Sequence, residues 1–161
     1  LESYRQSDEH NQRIIQTSDA LSFPYENYRN GQRELAKYVY GTILNDDTLF
    51  IEAPTGIGKT MSTLFPACKS FSTCGSEKIF YLSAKKIAKD VAFEASKLLI
   101  QKGLEMRVIK LSSKEKMCMC DSNKCNPDDC PFALGYYDHL IKVLREIIEN
   151  ENVIDEDKII K

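Results

Sequence analysis

Long hydrophobic runs are missing from this 161-residue sequence. No apolar stretch approaches the roughly 20 residues that a membrane-spanning helix needs, so no membrane contact is expected. Residues 1–16 are polar and lack the hydrophobic centre of a secretory signal, which makes the cytoplasm the expected location. A dominant charge sign is missing as well. Lys and Arg number 22 against 24 Asp and Glu, and the resulting net charge of −2 exerts no overall pull on nucleic acid. Any such contact must come from local basic clusters. Internal repeats and low-complexity segments are also absent, and 42% apolar residues is enough for the core of one ordinary domain, which excludes the disordered and fibrous classes.

Without an export signal, the six cysteines are not read as a disulfide framework. Cys68 and Cys74 stand apart from each other and read as small hydrophobes. Cys118, Cys120, Cys125 and Cys130 crowd into a stretch rich in Asp, Asn, Pro and Lys. That crowding favours a metal site over incidental cysteines. The stretch has no CxxC pair and no histidine, so the usual zinc-finger spacing is lacking. Thiolates suit iron-sulfur clusters and zinc alike, and spacing alone leaves both open.

The strongest positive signal is Glu52-Ala53-Pro54-Thr55-Gly56-Ile57-Gly58-Lys59-Thr60, which follows the apolar run Leu49-Phe50-Ile51. A strand, a phosphate loop and a helix start are predicted in that order. Small residues at Ala53, Gly56 and Gly58 let backbone N–H groups curl around phosphate oxygens, and the next helix aims its positive dipole end at them. Lys59 supplies a point charge toward the outer phosphates. The Thr60 hydroxyl can hold Mg²⁺. Pro54, Thr55 and Ile57 complete the set of loop residues expected to bind nucleotide, and Ala53 stands where the commonest form of the motif has its first glycine.

Periodicity organises the rest. Leu35, Val39 and Ile43 repeat at helical spacing within residues 28–44, with Ala36 and Tyr40 on the same side. Residues 60–71 read as a helix that Pro66 should kink or end early. Residues 78–83 and 107–111 read as strands. Residues 84–101 read as an amphipathic helix through Ile87, Val91, Ala95, Leu98 and Leu99, and a last helix is expected from 135 or 136 to 149. Residues 1–20 are a polar lead-in or a helix. Strands alternating with helices argue for an α/β fold with a parallel sheet.

The order of these pieces resembles the amino-terminal part of the XPD/DinG family of iron-sulfur superfamily 2 DNA helicases, in its bacterial DinG-like branch. Four blocks between Phe23 and Asp138 carry the resemblance. Phe23-Pro24-Tyr25 and Tyr28-Arg29-Asn30-Gly31-Gln32 are similar to the family's entry segment, in which the glutamine reads the adenine edge and neighbouring side chains pack on the base; an amide can accept and donate at once. Arg29 and Gln32 thereby join the expected ATP-binding residues. The phosphate loop is the second block. Tyr81-Leu82-Ser83-Ala84-Lys85-Lys86 is the third, and the resemblance implies that Ser83, Lys85 and Lys86 touch the backbone of single-stranded DNA, with charge from Lys89 nearby; an ordinary solvated helix face would read the same way.

The fourth block runs from Lys114 through Cys118, Cys125 and Cys130 to Asp138 and looks like the family's iron-sulfur insertion. The resemblance maps three of four 4Fe-4S ligands onto Cys118, Cys125 and Cys130. The resemblance places the fourth ligand in another Cys-Pro pair, past a following helix, that these residues do not contain; Cys120 could substitute for it but is not counted as a native ligand. The implied architecture is a partial RecA-like P-loop domain with a cysteine-rich, mostly helical insertion: a lead-in over 1–20, motor domain over 21–112 and partial cluster domain over 113–161. The implied activity is ATP-driven, 5′-to-3′ movement along single-stranded or forked DNA in repair or replication, with ATP, Mg²⁺ and a 4Fe-4S cluster as cofactors.

No Asp-Glu-Ala-His or similar acidic motif follows the third expected strand. Asp155-Glu156-Asp157 has no expected strand before it and reads as a solvated or helix-start cluster. A second motor domain is missing too, so the sequence reads as a fragment that alone neither turns over ATP efficiently nor unwinds DNA. Two rival readings stand beside this one. One is another phosphate-loop ATPase or kinase with a zinc-binding insertion; the other is a nucleic-acid-binding module with a non-catalytic nucleotide site.

Overall fold

A computed structural model describes residues 2–118, 120 and 125–160. The chain divides into two compact units, residues 1–106 and 107–161.

The first unit is built from four helices: α1 (Glu2–Ala20), α2 (Gln32–Leu44), α3 (Lys59–Cys74) and α4 (Lys86–Gln101). Helix α3 is the centre, packed against α1, α2 and α4. Its sequence explains why. Met61, Leu64, Cys68 and Phe71 recur at three- and four-residue spacing and are all buried, with the small Ser62 and Ser70 beside them. Around Met61, Leu64 and Cys68 gather Leu21, Ala92, Leu99 and Leu104, with Phe23, Phe65, Ile79 and Met106 at the margin. Lys69 on α3 donates its ammonium hydrogens to the carbonyl oxygens of Asp19 and, at 3.0 Å, Leu21. It thus caps α1, whose own last turn has no basic residue.

Leu99 is fully buried. Truncation to alanine removes core contacts on every side and should destabilise the unit by about 3 kcal/mol, read as a fall in the urea midpoint at constant slope.

Several expectations are corrected here. Pro66 does not end α3, which continues to Cys74 and stops at Gly75, where φ is +67°. The proline removes one N–H from the helix ladder, but it is itself buried, and the packed residues on either side hold the helix through it. Helix α4 keeps only the later part of the expected stripe: Leu99 is buried and Ala95 and Leu98 pack against the core, whereas Ile87 and Val91 are 77% and 50% exposed and Ala92, Phe93 and Ser96 are buried in their place. Residues 2–20 form a helix that packs on α3, with Ile14 and Ser18 buried and Leu21 buried just past its end.

The expected strands at 49–52 and 78–83 form no ladder among the described residues. Phe50 and Leu82 are 93% and 88% exposed. A strand is completed by a neighbour that shares its hydrogen bonds, and neither segment has one there. The sheet is instead a short parallel pair in the second unit, β1 (Val108–Ile109) with β2 (Val153–Ile154). The Val108 and Lys110 N–H groups donate to the carbonyls of Asn152 and Ile154 at 2.8 and 2.9 Å.

The same unit holds α5 (Lys114–Met117), α6 (Tyr136–Asn150) and α7 (Glu156–Ile160). Strand β2, with Ile154 buried, directly precedes Asp155, so the absence of a strand before the acidic cluster is corrected; Glu156 does open α7, as the helix-start reading has it. Its carboxylate pairs with Lys110 at 2.8 Å and accepts from the Ser112 hydroxyl. Helix α6 buries none of its residues.

Candidate nucleotide site

Residues 52–60 form a loop that opens directly into α3. Gly56 and Gly58 have φ of +86° and +88°, a region open to glycine and costly for other residues. Gly58 is the N-cap, so Lys59 and Thr60 occupy the first positions of the helix. Their backbone N–H groups belong to the set at a helix start that lacks intrahelical acceptors. Positive dipole and free donors coincide there, which is the arrangement that binds a phosphate.

The lysine is engaged with the loop itself. Lys59 Nζ donates to the carbonyl oxygens of Ala53 and Pro54, both at 2.8 Å and both exposed. Those bonds can be exchanged for stronger ones to an anion at little cost in burial. Downstream, the Ser62 hydroxyl donates to the Gly58 carbonyl at 3.0 Å, and the Thr63 hydroxyl to those of Lys59 and Thr60 at 3.1 and 2.9 Å.

The segment before α2 lies against this loop. Arg29 Nη1 donates to the Gly56 carbonyl at 2.6 Å. Gln32 is buried, its Oε1 accepting from the Arg29 N–H at 2.9 Å and its Nε2 lying 3.4 Å from the Gly58 carbonyl. A Cβ on Gly31 would meet Ile57 Cδ1 at 3.0 Å, so residues 29–32 touch three successive loop residues. Sequence spacing gave no sign of these ties, because they join residues more than 20 positions apart. The aromatic residues of the entry segment pack on the protein. Phe23 stacks on Tyr28 with ring centroids 3.7 Å apart and meets Phe65 of α3 edge-on at 5.4 Å. Desolvation pushes the Tyr28 phenol above its ordinary pKa, with the Arg33 cation pulling the other way.

Ser83, Lys85 and Lys86 are exposed at the start of α4, and the Ser83 hydroxyl is tied to the backbone of Lys85.

The cysteines divide by environment. Cys68 sits in the core, where burial pushes its thiol up to about 12 and keeps it neutral. Cys74 departs from the core reading: it is half-buried at the end of α3. Burial works to raise its thiol, but hydrogen bonds with Ser76 and Ser70 outweigh that and leave it below the usual value. Cys118 and Cys125 are exposed and Cys130 is buried. The structure does not bring these three together: among the described residues, no three Cys, His, Asp or Glu side chains stand as a metal-holding group. Cys130 is placed by a turn in which the Asn126 side chain accepts from the N–H groups of Asp128 and Asp129.

The family model of the DEAD/DEAH box helicases matches residues 32–156, most of the chain. This chain belongs to that helicase family. The family's fold is RecA-like, and its members are nucleic-acid-dependent ATPases. Over 45 residues the chain is 44% identical to a probable ATP-dependent helicase of Methanocaldococcus jannaschii, a match covering 28% of this chain and 7% of that protein. The chain thus aligns with only a small part of this curated relative. No solved structure matches it. Among the described residues, no helix is long and apolar enough to cross a membrane.

Proposed function

We propose that this helicase-family chain is the nucleotide-binding part of an ATP-dependent motor that moves on single-stranded or forked DNA. The observation that carries the reading is the glycine loop opening into α3, with Lys59 and Thr60 at the first helical positions. In this reading Lys59 leaves the Ala53 and Pro54 carbonyls to face the outer phosphates. The N–H groups from Gly56 to Thr60 take the remaining phosphate oxygens, and the Thr60 hydroxyl faces Mg²⁺. Mg²⁺ held there would supply neutralisation of the phosphate charge. Ser83, Lys85 and Lys86 offer a hydroxyl and two cations to a DNA backbone. The resemblance further implies 5′-to-3′ movement and a role in repair or replication.

Two titrations test the proposal, one with a fluorescent ATP analogue and one with a labelled single-stranded oligonucleotide, each with and without the other ligand. A helicase motor binds both, and each changes the other's affinity by the same factor. A phosphate-loop kinase would take nucleotide with no response to the oligonucleotide.

The iron-sulfur branch is the finer part of the proposal and rests on the order of Cys118, Cys125 and Cys130 and on the resemblance. Their separation in the structure means that a metal would have to draw them together, coupling its binding to folding of the loop. Iron and acid-labile sulfide per chain should therefore be measured after anaerobic purification. Cys125→Ser should lose the metal and loosen residues 113–138; a folded, fully loaded variant would remove Cys125 from the ligand set.

A further inference from the structure

We infer that α6 is the seam of an antiparallel dimer formed by two copies of this chain. No residue of α6 is buried, although its sequence separates into an apolar and a polar side. Tyr137, Ile141, Leu144 and Ile148 recur at four-, three- and four-residue spacing, which sets them in one stripe along the helix, and they are between 41% and 82% exposed. Leu140 and Ile147, half-buried, run along one edge of that stripe. Asp138 and Arg145, both exposed, run along the other. A continuous apolar stripe bordered by charge marks a surface that a partner covers.

The charges select the partner. Two copies running in opposite directions about a two-fold axis set Tyr137 against the partner's Ile148 and Ile141 against the partner's Leu144. On the charged edge, Asp138 then falls beside the partner's Arg145, and the two-fold axis repeats that pair. On the apolar edge, Leu140 meets the partner's Ile147. Parallel copies would instead set Arg145 beside the partner's Leu140 and close no ion pair. Among the described residues, neither Asp138 nor Arg145 has an ion-pair partner within its own chain. A lipid surface fits less well, because the polar side sets Asp138, Glu146 and Glu149 against Lys142 and Arg145, a balance that anionic headgroups do not attract.

The 15 residues of α6 span about 22 Å. One such helix pair covers less than the roughly 800 Å² per partner of a standard interface, so the dimer should be weak, with Kd on the order of 10 μM. Its population should follow concentration.

The test is sedimentation equilibrium of the whole chain from about 1 to about 200 μM, a range that brackets such a Kd. A reductant keeps the exposed Cys118 and Cys125 from linking copies. Wild type is compared with Leu144→Glu, Asp138→Lys, Arg145→Glu and the double reversal, and far-UV circular dichroism checks that each keeps its helices. Wild type is expected to pass from one 18.4 kDa chain toward two across the range. Leu144→Glu sets a charge in the seam and should leave monomer throughout. Each single reversal puts like charges together twice per dimer and should weaken it by about tenfold, whereas the double reversal restores opposite charges at the same places and should recover most of the loss. A wild-type chain that stays monomeric at about 200 μM would overturn the inference. So would a dimer that a folded Leu144→Glu leaves intact, or one that the single reversals weaken and the double reversal does not recover. If Leu144→Glu costs the helix itself, the reversals at the exposed edge decide alone.

Discussion

Lys59→Ala is expected to abolish measurable ATP binding and to leave the chain folded. The two halves of that expectation come from different places. The ammonium's protein partners are the exposed carbonyls of Ala53 and Pro54, and losing exposed hydrogen bonds of this kind shifts stability by no more than about 0.5 kcal/mol. Toward a triphosphate, the same group is a unit charge beside several negative oxygens. Near a protein surface one such pair at 4 Å is worth about 4 kcal/mol, or close to a thousandfold in affinity. Calorimetry with Mg²⁺-ATP, alongside a thermal melt, separates the two effects. Unchanged affinity in a folded Lys59→Ala chain would sink the phosphate-loop reading.

Gly58→Ala should be the most disruptive single-methyl substitution in the loop. At φ +88° an alanine costs about 1–2 kcal/mol in backbone strain alone. Its Cβ would also stand 2.2 Å from the Gln32 amide nitrogen, in a buried setting where the amide has few ways to withdraw. Displacing that amide strands the Arg29 N–H and the amide itself, which adds about 1–3 kcal/mol. The total, about 3 kcal/mol, should appear in denaturant melts together with loss of nucleotide binding. Gly56→Ala is the control: φ is +86°, but nothing lies within 4 Å of its Cβ. It should show the backbone strain without the clash. Equal losses at the two positions would mean that the contact with Gln32 contributes nothing.

Parts of the molecule whose chemistry is local are legible in the sequence. The phosphate loop was legible because its chemistry is local: glycines that tolerate positive φ, a lysine and a threonine, and a helix start are all properties of nine consecutive residues. Helix α2 and the outline of α4 and α6 were legible for the same reason, since three- and four-residue spacing is written along the chain. The buried face of α4 was legible only in part. Periodicity marked Ala95, Leu98 and Leu99, which pack on the core, but only packing against α3 selected Ala92 and Phe93 over Ile87 and Val91.

Strands fared worst because pairing is non-local. The apolar segments at 49–52 and 78–83 carry strand composition without a ladder, whereas Val153 and Ile154, two residues in a polar setting, acquire strand character by pairing with Val108 and Ile109. The cysteine stretch shows the same division. Its order along the chain matches a ligand set, but order does not fix distance, and the described cysteines form no metal-holding group.

By itself, then, the sequence determined the phosphate-binding chemistry, the helical segments and the helicase resemblance, all of which depend on neighbours within a few positions. Only the tertiary structure decided what presses on the loop. The Arg29 guanidinium on Gly56 and the Gln32 amide filling the space at Gly58 are contacts of shape and hydrogen bonding between segments more than 20 positions apart, and no spacing rule along the chain encodes them.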